Sequence, residues 1–600
     1  MAWYRFCKNG ASLFGAIART GSCVRTSVAV LLASFVSFLA MSPPHPAIGQ
    51  EIRFEGPQPR PDIADRLRHN PGDAEFVAGL DHEMAAWGPM FAPAMLDRLI
   101  PPMQVYAFTQ GSLLSMPDEE LKAKFALLTE RHVQLAFGAQ PVIVDSPTCG
   151  GSEGYDDSRT LAEVIDKLKR LAIPLRYVVM DGGLWFGHYT TGPQQCSLSI
   201  EETIQRVAVT MRAFVGLYPD IVIGDIEPSA PLTMKPDWRD ALRAYKQGLD
   251  AATGTKLDFL ELDIAWSNPG WPQAVGEETA FARSLGMHVG YIYNGDDQDR
   301  SDPEWLDHAR RNIAEMEGGL GLIPDHISIS SWNAHPANKI ATPLDGTLAS
   351  LMIDYARPRT RIALDRTGDS VTGRVLDDAG HPLSGYTVSV GAVGLARPDG
   401  RLPEATLDGT VPSRARSALL GLRINLECFC VGLNDVLIGD FDYREARGGD
   451  RHETVNFLHD LRHFAAVGGP GVPKIQMLTG PSGEFARVTT TAGQAFMSGL
   501  KPFAVTPDAT YRLTVAAQDL LGSAMYGTMT IIWLDADGQG FGRDNLILRP
   551  DFASVADLRT DNAGRFSLPR PRTPRGTLAP LRITVPDQQG HRAAIANVPP

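Results

Sequence analysis

IVIGDIEPSAP, residues 221–231, opens as an apolar strand and closes on two carboxylates and a proline. Asp225 and Glu227 are two residues apart, so on a strand they share one face. A carboxylate at the end of a buried strand is costly unless it is paired, hydrogen-bonded or chemically employed. What surrounds this strand decides among these.

The same rhythm repeats on either side. Apolar strands are predicted at QVYAFT (104–109), PVIVDS (141–146), RYVVMD (176–181), LDFLELDIAW (257–266), HVGYIY (288–293) and HISISSW (326–332). Helical patterns fill the gaps. Leu161, Ile165, Leu168 and Leu171 recur at helical spacing, as do Ile204, Val207, Met211 and Phe214. Ser199 with Glu202 forms a capping box, and Ser115 before Pro117 and Asp118 reads as a helix start. Strands this apolar, alternating with helices, form a parallel sheet covered by helices. The expectation is a (β/α)8 TIM-like barrel over 104–357 with one strand unrecognised or irregular. A doubly wound open sheet is the alternative, but no Gly-x-Gly-x-x-Gly turn follows the first strand. Residues 50–103 read as a lead-in, helical near 73–99.

Past Arg357 the pattern changes to short alternating runs with Gly/Asp turns, which predict all-β sandwich domains and a multidomain chain. VTGRVLDDAGHPLSGYTVSV (371–390) resembles the first strands of carboxypeptidase-regulatory-like, prealbumin-type sandwiches. Matching last strands appear at LRTDNAGRFSLP (558–569). This divides the region into 358–395 plus 554–600, with an insert over 396–553. GTVPSRARSALLGLRINLE (409–427) and VTPDATYRLTVAAQD (505–519), with GTMTIIWLDADGQGFGRD (527–544), resemble jelly-roll carbohydrate-binding modules. The resemblance implies aromatic residues stacking on sugar rings; the simpler reading is a sandwich that braces the barrel. DADGQG at 535–540 reads as a hairpin turn, because the rest of a calcium loop is missing.

Six hundred residues exceed one core, and a net charge of −13 without a basic block gives no support for a nucleic-acid partner. Basic residues ending at Arg25 precede the apolar run SVAVLLASFVSFLAM (27–41), with small residues at Ala47 and Gly49. Residues 1–49 are therefore expected to be a signal peptide rather than an uncleaved anchor. The mature chain is expected to be exported, periplasmic or extracellular, with no integral membrane segment. Cys149 and Cys196 lie in loops after successive predicted strands and suit a disulfide in an oxidising compartment. Cys428 and Cys430 share a strand face in ECFC. No Cys/His cluster has ligand spacing, so neither metal nor cofactor is expected. No feature sets an oligomeric state.

In a barrel, chemistry gathers at the C-terminal ends of the strands. Those ends carry Tyr106, Phe108 and Gln110; Asp145; Asp181 followed by Trp185, His188 and Tyr189; Asp225 and Glu227; Glu261 and Asp263 followed by Trp266; Tyr291, Tyr293, Asn294, Asp296 and Asp297; and Trp332, Asn333 and His335. Acids and aromatics without Lys or Arg disfavour phosphate handling. No Gly-x-Ser-x-Gly elbow marks a serine nucleophile. Paired carboxylates are what glycoside cleavage requires, one to protonate the leaving oxygen and one to attack or stabilise the anomeric carbon.

The barrel resembles a secreted TIM-barrel glycoside hydrolase. IEP (226–228) is similar to the Asn-Glu-Pro at the fourth strand of the large retaining clan, with Ile226 in place of Asn and no Glu in HISISSWNAHP. Asp225-x-Glu227 and MDGG (180–183) are also similar to the strand ends of chitinase-like barrels. Glu227, at the end of the fourth strand beside a second acid, is the acid/base candidate, and Asp263, from the neighbouring strand, is the candidate nucleophile or stabiliser. Asp225 and Glu261 would tune their pKa values, and Asp181 is a further choice for the second acid. Trp185, Trp266, Tyr291, Tyr293, Trp332 and Asn333 are expected to line sugar subsites. His188 and His335 read as polar surface groups; the alternative for His188, beside acids, is a metal ligand, which no His-Glu-x-x-His pattern backs. The expected function is an exported glycosidase acting on a polysaccharide. The alternatives are a catalytically inactive barrel that binds or helps assemble surface polysaccharide, and a metal-assisted deacetylase.

Overall fold

The computed structural model describes residues 75–81, 88–99 and 103–599, excepting short stretches of which the longest are 425–433 and 456–473. The leader, Cys428, Cys430, Asp297 and Asn333 lie outside the described residues.

Eight parallel strands close a barrel: β1 (Glu75–Asp81), β2 (Val105–Thr109), β3 (Gln134–Ala139), β6 (Leu175–Asp181), β7 (Val222–Pro228), β8 (Phe259–Asp263), β9 (His288–Tyr293) and β10 (His326–Ile329). Two short strands, β4 (Val142–Ile143) and β5 (Tyr155–Asp156), pair outside it. Helices follow the barrel strands, so the chain is a (β/α)8 barrel followed by all-β sheets.

Two strand assignments need correction. The barrel begins before 104: EFVAGLD (75–81), read above as helical, is β1 and pairs with both β10 and β2. The second called strand, 141–146, is displaced by QLAFGA (134–139), which pairs with β2 and β6. Pro141 separates two apolar runs, and the second run leaves the barrel to pair with β5.

The helix signals divide. Ser199 and Glu202 complete both halves of a capping box. Ser115 instead ends a short helix, Gln110–Ser115, where its hydroxyl donates to the Gly111 carbonyl. The next helix, Asp118–Thr129, starts without a side-chain cap.

The barrel wall has two faces. Val105, Ala107, Ala136, Tyr177, Val179, Val222, Ile226, Phe259 and Ile292 form the buried cluster of the lumen, with Trp332 packed against it. The intervening residues, among them Phe108, Val178, Ile223, Leu260, Leu262, Tyr291 and Tyr293, join a second cluster shared with the helices. Glycine makes room for two large lumen groups. A Cβ on Gly224 would lie 2.0 Å from the Phe259 ring, and one on Gly290 the same distance from the His326 ring.

Beyond the barrel, strands 361–367, 370–376 and 565–569 form one sheet, and 553–559, 387–392, 581–585 and 594–598 another. Their shared core holds Val371, Val388, Phe566 and Ile583. Between them the chain makes two further sheets, 404–410 with 510–519, 434–445, 483–490 and 474–480, and 495–498 with 417–424, 527–534 and 540–548. DADGQG forms the hairpin turn between 527–534 and 540–548 as expected, with Gly538 at φ +72°. Strand 594–598 docks on the turn Ala314–Gly319 of the barrel, where a Cβ on Gly319 would lie 1.8 Å from the Ile595 carbonyl oxygen. Among the described residues no helix is long and apolar enough to cross a membrane.

Candidate active site

Strand parity sorts the predicted acids into two places. Asp181 follows Tyr177 and Val179, and Glu261 and Asp263 follow Phe259, so all three face the lumen. Asp225 and Glu227 alternate with Val222, Gly224 and Ile226 and face the helices. Their contacts agree. Glu261 Oε2 lies 3.2 Å from His326 Nε2 across the lumen. Asp225 Oδ2 accepts from the Tyr245 hydroxyl, on the helix Trp238–Thr253, at 2.6 Å.

The expectation that Glu227 opens on a cleft is therefore corrected. Its side chain is 0% exposed. Its two oxygens accept from the backbone N–H groups of Leu184 at 2.7 Å and Trp185 at 3.0 Å. Asp225, also 0% exposed, accepts from the Gly183 N–H at 3.2 Å. Burial, and then the Asp225 charge, push Glu227 well above the usual carboxylate range. Burial pushes Asp225 up to about 7. Sequence reading missed a third buried acid. Glu278, on the helix Trp271–Ser284, is raised to about 8 by burial, and its carboxyl lies near Ser229 without a hydrogen bond of normal geometry.

Two lumen-facing acids end their strands at the C-terminal mouth, and a third approaches Asp181 from a loop. Asp181 ends β6, is partly exposed and accepts from Gln140 Nε2 at 3.3 Å. Burial, with the Glu153 carboxylate beside it, raises it to about 7. Glu153 itself is raised by burial. Asp263 ends β8, partly exposed, at the register position of Pro228. Gln140 also accepts from the Gly154 N–H, tying the loop that carries Glu153 to Asp181. Glu153 and Gln140 were not picked out from the sequence. Gln140 becomes visible once 134–139 is taken as the strand, because it then sits at that strand's end.

The aromatic expectations divide as well. Trp332 is partly exposed against the lumen cluster. Trp185 is buried under Lys235, whose ammonium lies 5.1 Å from its ring and 5.3 Å from that of Tyr189. Trp266, Tyr291 and Tyr293 are corrected from subsites to core: they lie on the helix side, Trp266 stacked on Tyr293 at 5.9 Å. The Tyr291 hydroxyl pairs with Thr279, and that of Tyr293 donates to Glu317. Asp145 is not at a barrel strand end; it accepts from the N–H and hydroxyl of Ser158. His188 bonds the Leu198 carbonyl and His335 bonds Asp302, so both are structural. In the insert, Tyr443, Tyr511 and Trp533 are buried between its sheets.

Cys149 and Cys196 are joined by a disulfide that ties the β4–β5 loop to the segment after Tyr189. Beside it opens a cavity of about 570 Å³ lined by Asp145, Asp156, Tyr155, Arg159 and Gln194, among others. Burial raises Asp156 to about 6. Among the described residues one group, Asp299, Glu304 and His308, has metal-ligand spacing. The Arg549 guanidinium already lies 3.9 Å from Asp299 and 3.3 Å from His308, so a cationic group of the chain itself stands there.

No family model matches the sequence, and no curated protein matches it. Several solved structures show a likeness. Native xylanase 10B from Thermotoga maritima is 10% identical with a TM-score of 0.33, covering 49% of this chain and 96% of its own. N2152 from Neocallimastix frontalis is 11% identical with a TM-score of 0.32, covering 75% and 96%. Xylanase XynB from Paenibacillus barcinonensis is 10% identical with a TM-score of 0.32, covering 47% and 95%. At such scores they say nothing about activity.

Proposed function

We propose that the chain is an exported glycoside hydrolase that cleaves a polysaccharide with carboxyl groups at the barrel mouth. The observation that carries this reading is Asp181, a partly exposed lumen acid raised to about 7, on the same rim as Asp263. An acid still protonated near neutral pH can give its proton to a glycosidic oxygen. Asp263 then serves as nucleophile or base, and Glu153 helps keep Asp181 protonated. Trp332 offers a ring face to a sugar at the same mouth. The disulfide, like the basic and apolar leader, supports export.

A second reading has its own support. Glu227, the acid of the Ile-Glu-Pro motif, is pinned outside the lumen, which favours a barrel that binds polysaccharide without cleaving it. For the insert, burial of its large aromatics and the reach of Arg549 to Asp296 at 3.2 Å favour bracing of the barrel over sugar stacking. The test is a polysaccharide panel incubated with the purified chain, its Asp181→Asn variant and its Asp263→Asn variant. Products formed by the parent and lost in both variants support the hydrolase. Binding without products supports the second reading.

A further inference from the structure

We infer that Asp225 and Glu227 are positioning residues that hold, from behind the barrel wall, the turn joining Asp181 to Trp185. The inference rests on the reading of the mouth as the reaction centre. It gives the paired acids of β7 a role outside the lumen chemistry.

The turn follows Asp181 directly. Gly182 donates its N–H to the Ile226 carbonyl at 2.8 Å, the last rung between β6 and β7. The next three N–H groups, of Gly183, Leu184 and Trp185, all end on the two carboxyls. N–H groups at the start of a helical segment have no partner within it, so an acceptor must come from elsewhere. Two acids alternating on one strand supply acceptors along that segment. The second carboxyl oxygen of Asp225 is held by Tyr245, which fixes the clamp to the neighbouring helix. Space is tight: a Cβ on Gly183 would lie 2.1 Å from the Tyr245 hydroxyl oxygen and 2.9 Å from Asp225 Oδ2.

The consequence falls on the lumen. Asp181 faces Gln140 and Glu153 from the loops, with the charges of Asp225 and Glu261 beyond. The backbone after it is fixed by atoms on the opposite side of the wall. A misplacement of about 1 Å in a reacting group costs on the order of a hundredfold in rate. A clamp without substrate contact therefore shows as a loss of turnover with little change in KM.

The test uses the full-length chain and hydrogen exchange of peptides covering 182–190, with kcat, KM and the pH profile of turnover read in parallel. Glu227→Gln keeps one acceptor and replaces the other with a donor, so exchange at Leu184 and Trp185 is expected to speed by about tenfold or more. In the same variant kcat falls, KM stays within about threefold, and the limb of the pH profile set by Asp181 moves. Asp181→Asn lowers turnover by about a hundredfold to ten-thousandfold and leaves the exchange unchanged. Tyr245→Phe, a milder change, loosens the carboxyl that holds Gly183, so exchange at Gly183 is expected to speed, and it serves if Glu227→Gln does not fold. Unchanged exchange at Leu184 and Trp185 in Glu227→Gln, together with unchanged exchange at Gly183 in Tyr245→Phe, overturns the clamp, as does faster exchange with parental kcat and pH profile. A parent chain that cleaves nothing defeats the hydrolase reading instead, and the exchange measurement then decides the clamp alone.

Discussion

Tyr245 and Asp225 meet across the boundary between helix and barrel, hydroxyl to carboxylate at 2.6 Å, with both side chains fully buried. The pair holds the helix Trp238–Thr253 to β7. Tyr245→Phe removes the hydroxyl and leaves a buried carboxyl short of one donor. A lost hydrogen bond to a charged buried group costs about 1–3 kcal/mol. The expected result is a lower calorimetric Tm at pH 7.

Asp181 gives the sharpest test of the proposed chemistry. A general acid contributes about a hundredfold to ten-thousandfold, so Asp181→Asn should lower kcat/KM by that order. Its Tm should change little, because the side chain is partly exposed. A general acid works while protonated. With Asp181 at about 7, kcat/KM of the parent should fall as pH rises through 7, and the limb should be absent from Asp181→Asn. A rate independent of pH between 6 and 8 on the same substrate would remove Asp181 from the role.

Stability should also fall toward alkaline pH. Asp225 is raised to about 7 and Glu278 to about 8, both by burial. Between the unfolded carboxyl pKa and those values, the folded chain binds protons that the unfolded chain has released. Each such group therefore stabilises fully below pH 4, and its contribution is lost as pH rises through its folded pKa, at about 1.4 kcal/mol per pH unit. The exposed acids held low by neighbours, such as Asp408 beside Arg512, act in the opposite sense below pH 4. Tm is expected to be lower at pH 9 than at pH 5.5, and Glu278→Gln should flatten that slope. A parental slope in Glu278→Gln would show that Glu278 does not carry it.

These expectations mark where sequence reading succeeds and where it stops. The barrel was legible because β6, β8, β9 and β10 lie in apolar stretches bounded by helical patterns. Two strands were not. EFVAGLD, as long as β6, alternates weakly. QLAFGAQPVIV holds two runs of equal claim, and pairing, a long-range property, chooses between them. The acids of β7 were legible as a same-face pair, but not which face. Val222, Ile223, Gly224 and Ile226 suit either side of a wall buried on both, so periodicity gives no sign of inside or outside. Glu278 left a clearer trace: it lies three residues after Val275 and four before Ala282, on the buried face of its helix.

The disulfide closes a loop of 47 residues around the segment that lines the cavity. Cross-links of that span commonly add about 2–4 kcal/mol. Cys149→Ser with Cys196→Ser should lower the Tm of the barrel. It should also speed proteolysis within 144–156 and 190–198, read by mass spectrometry of the first fragments.

Glu317 joins the barrel to the sandwich that ends the chain. Its carboxylate, 1% exposed, accepts from the hydroxyls of Tyr293 at 2.9 Å and Tyr355 at 2.8 Å. Arg592 of the sandwich donates to it at 2.9 Å, and Arg359 lies 3.7 Å away. Both arginines are buried. Removing the acid leaves the buried Arg592 guanidinium without its counter-ion, while Arg359 keeps Asp378, a change that costs about 3–5 kcal/mol. The cost falls on the joint rather than on either core, because Arg592 and the docked strand 594–598 belong to the sandwich while Tyr293 ends β9. Glu317→Gln keeps an oxygen for the two hydroxyls, which share Oε1, but loses the charge and the acceptor of Arg592. It is expected to split a joint calorimetric transition into two, with the sandwich melting first. Glu317→Gln combined with Arg592→Met removes charge on both sides and should recover part of the loss. A single transition at the parental Tm in Glu317→Gln would mean that the packing of Ile595 against Gly319 holds the two units together without the ion pair.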